Sequence, residues 1–159
     1  MKIESPAFDH GGEIPSRHTH LQGELDMSPP LHFVDVPQNT KSLALIVDDP
    51  DAPDPLAPKM TWVHWILYNI PPEITDLSES LPNSYMGNGT QIGENDWKAL
   101  GYNGPAPPKG RHRYVFKLYA LDAMLHNTHS ANKAMLEKAM NGHVLEEAHL
   151  IGTYMKKNQ

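Results

Sequence analysis

Asp49, His64, His112 and Tyr114 are the residues of this sequence whose types and surroundings offer chemistry. An acid beside an imidazole can move a proton. A histidine two residues before a tyrosine, on a strand, presents a ring N–H and a phenol on one face. Just before them, three prolines and three glycines fall within the ten residues from Gly101 to Gly110. Prolines fix φ and glycines permit positive φ, so the shape of this loop is set largely by its own covalent chemistry. Pro105, Pro107 and Pro108 have no N–H, which leaves that of Ala106 isolated between ring-locked neighbours. A rigid loop with one backbone donor beside a His and a Tyr suits capture of a small polar group. Taken alone, the stretch reads at least as well as a stiffened surface hairpin.

Two further stretches lie upstream. Asp49-Pro50-Asp51-Ala52-Pro53 begins a proline-rich loop, and Thr61-Trp62-Val63-His64-Trp65 begins an apolar run. Asp before Pro is a common turn former, and Asp51 is expected to hold the loop through nearby backbone N–H groups. A lone His in an apolar strand is ordinarily a core residue with one nitrogen satisfied. Here Trp62 shares its face by period two, so the pair can wall a shallow cavity. Arg113 should point away from His112 and Tyr114, toward the surface or a salt bridge. The compact proline turns predict a cis X–Pro bond, at Ala52–Pro53 before any other.

The order D-P-D-A-P, then W-x-H-W, then G-P-x-P-P-x-G-x-H-R-Y resembles the phosphatidylethanolamine-binding protein family in its bacterial and archaeal form. Ser5-Pro6-Ala7-Phe8, Ser28-Pro29-Pro30-Leu31 and the tail from Gly142 to Tyr154 extend the likeness over nearly the whole chain. The resemblance implies an antiparallel β-sandwich and one small anion-binding pocket. Carried over residue by residue, that pocket comprises Asp49, Trp62, His64, Ala106, Pro107, Pro108, His112 and Tyr114. Many eukaryotic members carry Gly where Ala106 stands and Tyr where Lys59 falls, so Lys59 is expected to charge the pocket rim. The resemblance also implies a homodimer and a protein kinase or protease as partner.

The elements that must position these residues follow from pattern. Fifteen prolines in 159 residues disfavour long helices and favour short strands joined by shaped loops. Leu31–Val34, the apolar run 41–48, 62–70 and 112–121 read as strands. Residues 71–100 carry few periodic apolars, and so long a loop is more often functional than accidental. Ala131 to Met140 shows helical spacing, with Ser130 as N-cap, Gly142 as C′, and Ala134, Met135, Ala139 and Met140 facing the core. A second short helix is expected over 144–148 and a closing strand over 150–154. With few helices between strands, a mainly β, antiparallel sandwich with one or two late helices is the economical single domain.

Bulk properties exclude several functions. A net charge of −6 argues against nucleic acid, and the absence of cysteine removes thiolate and disulfide chemistry. No apolar leader or 18-residue apolar run appears, so a soluble, cytoplasmic protein is expected. His10, His18 and His20 could form a metal cluster, but no carboxylate or Cys accompanies them, and exposed loop histidines account for them better. A binding module for a small anionic or phosphorylated ligand, without cofactor or metal, ranks first. A phosphoester hydrolase using Asp49 with His64 or His112 ranks second, since no Ser or Cys nucleophile sits in any motif. Imidazolium at His64 or His112 would favour an anion, so binding should weaken as pH rises through the histidine range.

Overall fold

The structure, a computed structural model, describes residues 1–20, 26–82, 87–126 and 128–156. Strands β3 (Ser42–Ala52), β4 (Met60–Ile70) and β7 (Arg111–Leu121), each 11 residues long, form its centre. With β6 (Gln91–Ile92) and β8 (Val144–Met155) they make a five-stranded sheet in the order β6-β4-β3-β7-β8. A smaller sheet pairs β1 (Lys2–Glu4), β2 (Leu31–Val34) and β5 (Asp76–Leu77). Every strand pair is antiparallel. The expected mainly β, antiparallel architecture is therefore present. No helix among the described residues is long and apolar enough to cross a membrane.

Alternation divides the central strands between two cores. Leu43, Leu45 and Val47 of β3 join Phe116, Leu118 and Ala120 of β7 on the face that meets Ile3, Leu31 and Phe33 of the small sheet. Ala44 and Ile46 face the other way, against Leu136 and Met140 of the helix α1 (Lys133–Met140). β3 is buried through Asp49 because both its faces are covered. On the helix side Asp48 is also buried, and one of its oxygens, Oδ2, accepts from Lys117 and Lys133 at 2.8 Å each.

The C-terminal quarter departs from expectation in three places. There is no helix over 144–148: β8 runs unbroken from Val144, paired to β7 from Leu121↔Val144 to Arg111↔Met155. Ladder pairing outweighs the helical preference of a sequence rich in Glu and Leu, because local propensity is a weak prior. The helix is capped by Asn132, whose side chain accepts from the Met135 N–H, while Ser130 sits outside at φ 49°. Only Leu136 and Met140 of this helix are buried, and Met135 and Ala134 are exposed. Gly142 does take the positive φ, 83°, expected beyond the helix end.

β8 is an edge strand, and its second half is covered. Residues 11–14 lie against it, with the Gly11 N–H donating to Ile151 and the Ile14 N–H to Thr153. Gly152 permits this approach, because a Cβ there would come within 2.5 Å of Ile14. Residues 144–148 of the same strand keep an open edge guarded by exposed Glu146 and Glu147.

Trp65 joins the sandwich core to the loop that follows, edge-on to Tyr102 at 5.2 Å. Trp65→Ala is expected to lower stability by about 3–5 kcal/mol in urea unfolding. A loss below about 1 kcal/mol would show that this face is not sealed as described.

Candidate functional site

The core face does not stop where its apolar residues do. Along β7 the row Ala120, Leu118, Phe116 continues as Tyr114 and His112, and along β3 Val47 is followed by Asp49. These polar ends floor a cavity of about 270 Å³. All eight expected residues line it: Asp49, Trp62, His64, Ala106, Pro107, Pro108, His112 and Tyr114. Ala52, Pro53, Met60 and Trp97 complete the wall. Lys59 is not among the lining residues; Met60 takes the rim position expected for it. The Ala52–Pro53 bond is cis.

His64 reaches the cavity through a break in the ladder. Val47 pairs with Trp65 but Asp48 pairs with Val63, so His64 is an extra residue on β4. A bulge of this kind re-aims the side chain at that point. The ring is 3% exposed, and Nδ1–H donates to the Asn103 carbonyl at 2.7 Å. A carbonyl can only accept, so Nδ1 carries the proton and Nε2 is left as an acceptor. Burial lowers the pKa to about 4, against the opposing pull of the Asn103 and Gly104 carbonyls. His64 is therefore neutral at physiological pH.

His112 is committed on both sides. Nδ1 lies 2.6 Å from Asp49 Oδ2, and Nε2 lies 2.8 Å from the Lys109 carbonyl oxygen. The carbonyl requires an N–H, so one shared proton must also sit between Nδ1 and the carboxylate. Burial raises the Asp49 pKa, which keeps that proton in place, while the His112 hydrogen bond works the other way. The other carboxylate oxygen accepts the Asp51 N–H at 2.8 Å. Asp51 itself holds Arg113, accepting from its backbone N–H at 2.8 Å and its guanidinium at 2.9 Å and 3.0 Å. Asp51 is structural and Arg113 faces away from the cavity, both as expected.

These commitments correct the electrostatic expectation. His64 is kept neutral by desolvation and His112 has no N–H to spare, so neither offers imidazolium to an anion. The donors that remain are elsewhere. The Tyr114 hydroxyl is buried with no hydrogen-bond partner among the described residues. Burial, with Asp49 nearby, pushes its pKa up, so it stays a donor. The Ala106 N–H makes no hydrogen bond within the described chain.

Trp97 and Asn95 escaped sequence reasoning, because they sit in the aperiodic stretch before residue 100. Trp97 stands edge-on to His64 at 4.9 Å and to Trp62 at 5.5 Å. Asn95 is 1% exposed and shapes this turn with all its polar atoms. Its Oδ1 accepts from the N–H groups of Trp97 and Ala99, and its Nδ2 donates to the Gly101 carbonyl and to Asn103 Oδ1. The signal was an Asn-Asp pair, which favours side-chain-closed turns. The three N-terminal histidines do not cluster. His18 is buried against the Met27 carbonyl, contrary to the expected exposure, His20 bonds Asp26, and His10 accepts from the Ile151 N–H. Among the described residues no group of three or more His, Asp or Glu could hold a metal.

The neutral His64 carries a pH signature. Between its ordinary pKa of 6.5 and the folded value of about 4, the unfolded chain binds a proton here and the native one does not. This contribution to stability is complete above 6.5 and is lost as pH falls toward 4, on the order of 3 kcal/mol in all. Urea midpoints at pH 7 and pH 4.5 should therefore diverge more for the native protein than for His64→Gln. Equal divergence would place His64 in contact with solvent.

Four similarities bear on this site. The model of the phosphatidylethanolamine-binding protein family matches residues 4–155. A UPF0098 protein of Methanothermobacter thermautotrophicus is 48% identical over 157 residues, spanning 98% of this chain and 99% of its own. The crystal structure of a putative phosphatidylethanolamine-binding protein homolog from Chlamydia trachomatis superimposes with a TM-score of 0.86 at 39% identity, covering 98% of this chain and 97% of that one. Escherichia coli YbcL does so at 0.85 and 29% identity, covering 98% of each. The chain thus belongs to the phosphatidylethanolamine-binding protein family.

Proposed function

We propose that this protein binds a small oxyanion of the phosphoryl class, free or as the headgroup of a larger molecule, in the cavity floored by Asp49, His64, His112 and Tyr114. The observation that carries this reading is the Tyr114 hydroxyl, buried with no hydrogen-bond partner among the described residues, in a cavity that Ala106 also lines. An unsatisfied buried hydroxyl costs about 1–3 kcal/mol, and a bound oxygen acceptor would relieve it. At about 270 Å³ the cavity has room for a headgroup rather than a whole lipid. Kinship with proteins named for phosphatidylethanolamine supports the same class of ligand.

Hydrolysis of a phosphoester has less to build on. Among the described residues no Ser, Thr or Cys lines the cavity, and both nitrogens of His112 are already engaged. Regulation of a protein kinase or protease would act through the cavity mouth, where Met60 and Trp97 are exposed. A cytoplasmic homodimer completes the proposal, and sedimentation of the purified chain tests its stoichiometry.

Trp62 and Trp97 in the wall allow binding to be followed by fluorescence. Titration with inorganic phosphate should saturate, and Tyr114→Phe should weaken it on the order of ten- to a hundred-fold, the worth of a hydrogen bond to a charged group. Phosphate affinity unchanged in Tyr114→Phe would remove the hydroxyl from the site.

A further inference from the structure

We propose that the open half of β8 is a docking edge for an extended, basic segment of another protein. The segment adds as a further strand along residues 144–149, with its cations over Glu137 and Glu147. This surface is separate from the cavity and does not depend on what the cavity binds.

The backbone supplies the first argument. The covered half of β8 shows which of its residues turn their backbone groups away from β7. Ile151 and Thr153 do so, because their carbonyls accept from Gly11 and Ile14 and the Thr153 N–H donates to Gly12. The Ile151 N–H ends this row on Nδ1 of His10. Antiparallel ladders alternate, so the N–H and carbonyl groups of Glu147 and His149 turn outward as well. Among the described residues these four groups make no backbone hydrogen bond outside the ladder. They continue the line that residues 10–14 occupy, beyond the point where His10 leaves it. An extended chain laid along them would bond as a strand does.

The side chains say what kind of chain fits. Between β8 and α1 lies a groove of about 500 Å³, with Tyr119, Glu137, Met140, Val144 and Glu147 in its lining. No Lys or Arg is among its described lining residues. Lys117 of β7 and Lys133 of α1 are both turned to Asp48, at 2.8 Å. His149 comes no closer to Glu147 than 3.9 Å. Burial, Glu147 and Glu137 together push the Tyr119 pKa up to about 12, the mark of a negative field. Lys or Arg on the groove side of an added strand would answer that field. Val144 and Leu145, both exposed, offer the same strand apolar contact. A second copy of this chain fits poorly. Pairing about a twofold axis would bring two sets of Glu146 and Glu147 together, and like charges across a ladder destabilise it.

The test titrates the full-length protein into a fluorescein-labelled peptide, KVKVKVK, and follows anisotropy. Binding should saturate, and amide exchange at residues 147 and 149 should slow at least about ten-fold in the complex. KPKPKPK carries the same charge without alternate N–H groups and should bind at least about ten-fold more weakly. Glu137→Gln with Glu147→Gln should weaken KVKVKVK on the order of five- to ten-fold. His149→Pro removes one outward N–H, a change that edge strands accept, and should weaken it about three- to ten-fold. The two peptides binding equally, or exchange at 147 and 149 left unchanged, would overturn the proposal, as would failure of KVKVKVK to bind. Sedimentation of the free chain as a dimer that His149→Pro dissolves would also overturn it, by giving the edge to a second copy.

Discussion

Three acids at the end of β3 are matched by three bases on β7, and the cavity depends on that ladder. Asp48 takes Lys117, Asp49 takes His112 and Asp51 takes Arg113, at 2.8, 2.6 and 2.9 Å. A buried carboxylate left without a partner costs several kcal/mol. A slip of one residue between these strands would turn every side chain to the opposite face and part all three pairs. The same register that neutralises the acids sets His112 and Tyr114 beside Asp49. Structure and site are thereby held by one set of contacts.

The ladder has a second effect on recognition. With Asp49 paired to His112, the cavity has no Lys or Arg among its described lining residues with which to draw in an anion. On the reading proposed above, selectivity would pass to short-range groups such as the Tyr114 phenol and the neutral His64 imidazole. Such groups demand good geometry, which the prolines of the 104–108 loop and the Asn95 turn supply without further side chains.

Much of this was legible in the chain. Asp49, His64, His112 and Tyr114 are marked by neighbours that restrict the backbone, and period-two alternation already placed Trp62 with His64. That inference held because both residues precede the point where β4 changes face. The bulge itself left no trace in the residues, since it arises from the match between two strands. Trp97 was hidden for a related reason: its place depends on Asn95 closing a turn through bonds to residues as distant as Asn103. The protonation states were the least accessible. His64 and His112 look alike as letters, but one is set by desolvation and the other by two acceptors, and both are tertiary facts. The helix expected at 144–148 failed likewise, because β7 offered that stretch a ladder broken only by a register shift between Ala120 and Leu121.

The contact of residues 11–14 with the edge of β8 bears on how the chain is made. Gly11 meets Ile151, and Thr153 meets Gly12, across about 140 residues of intervening sequence. During synthesis the early segment has nowhere to dock until β8 has emerged and paired with β7. Until then Ile14 lacks the strand it packs on at Gly152, whereas Phe8 can already meet Phe116 of β7 at 5.6 Å. Residues 11–14 are thus seated only once a strand about 140 residues later in the sequence is in place.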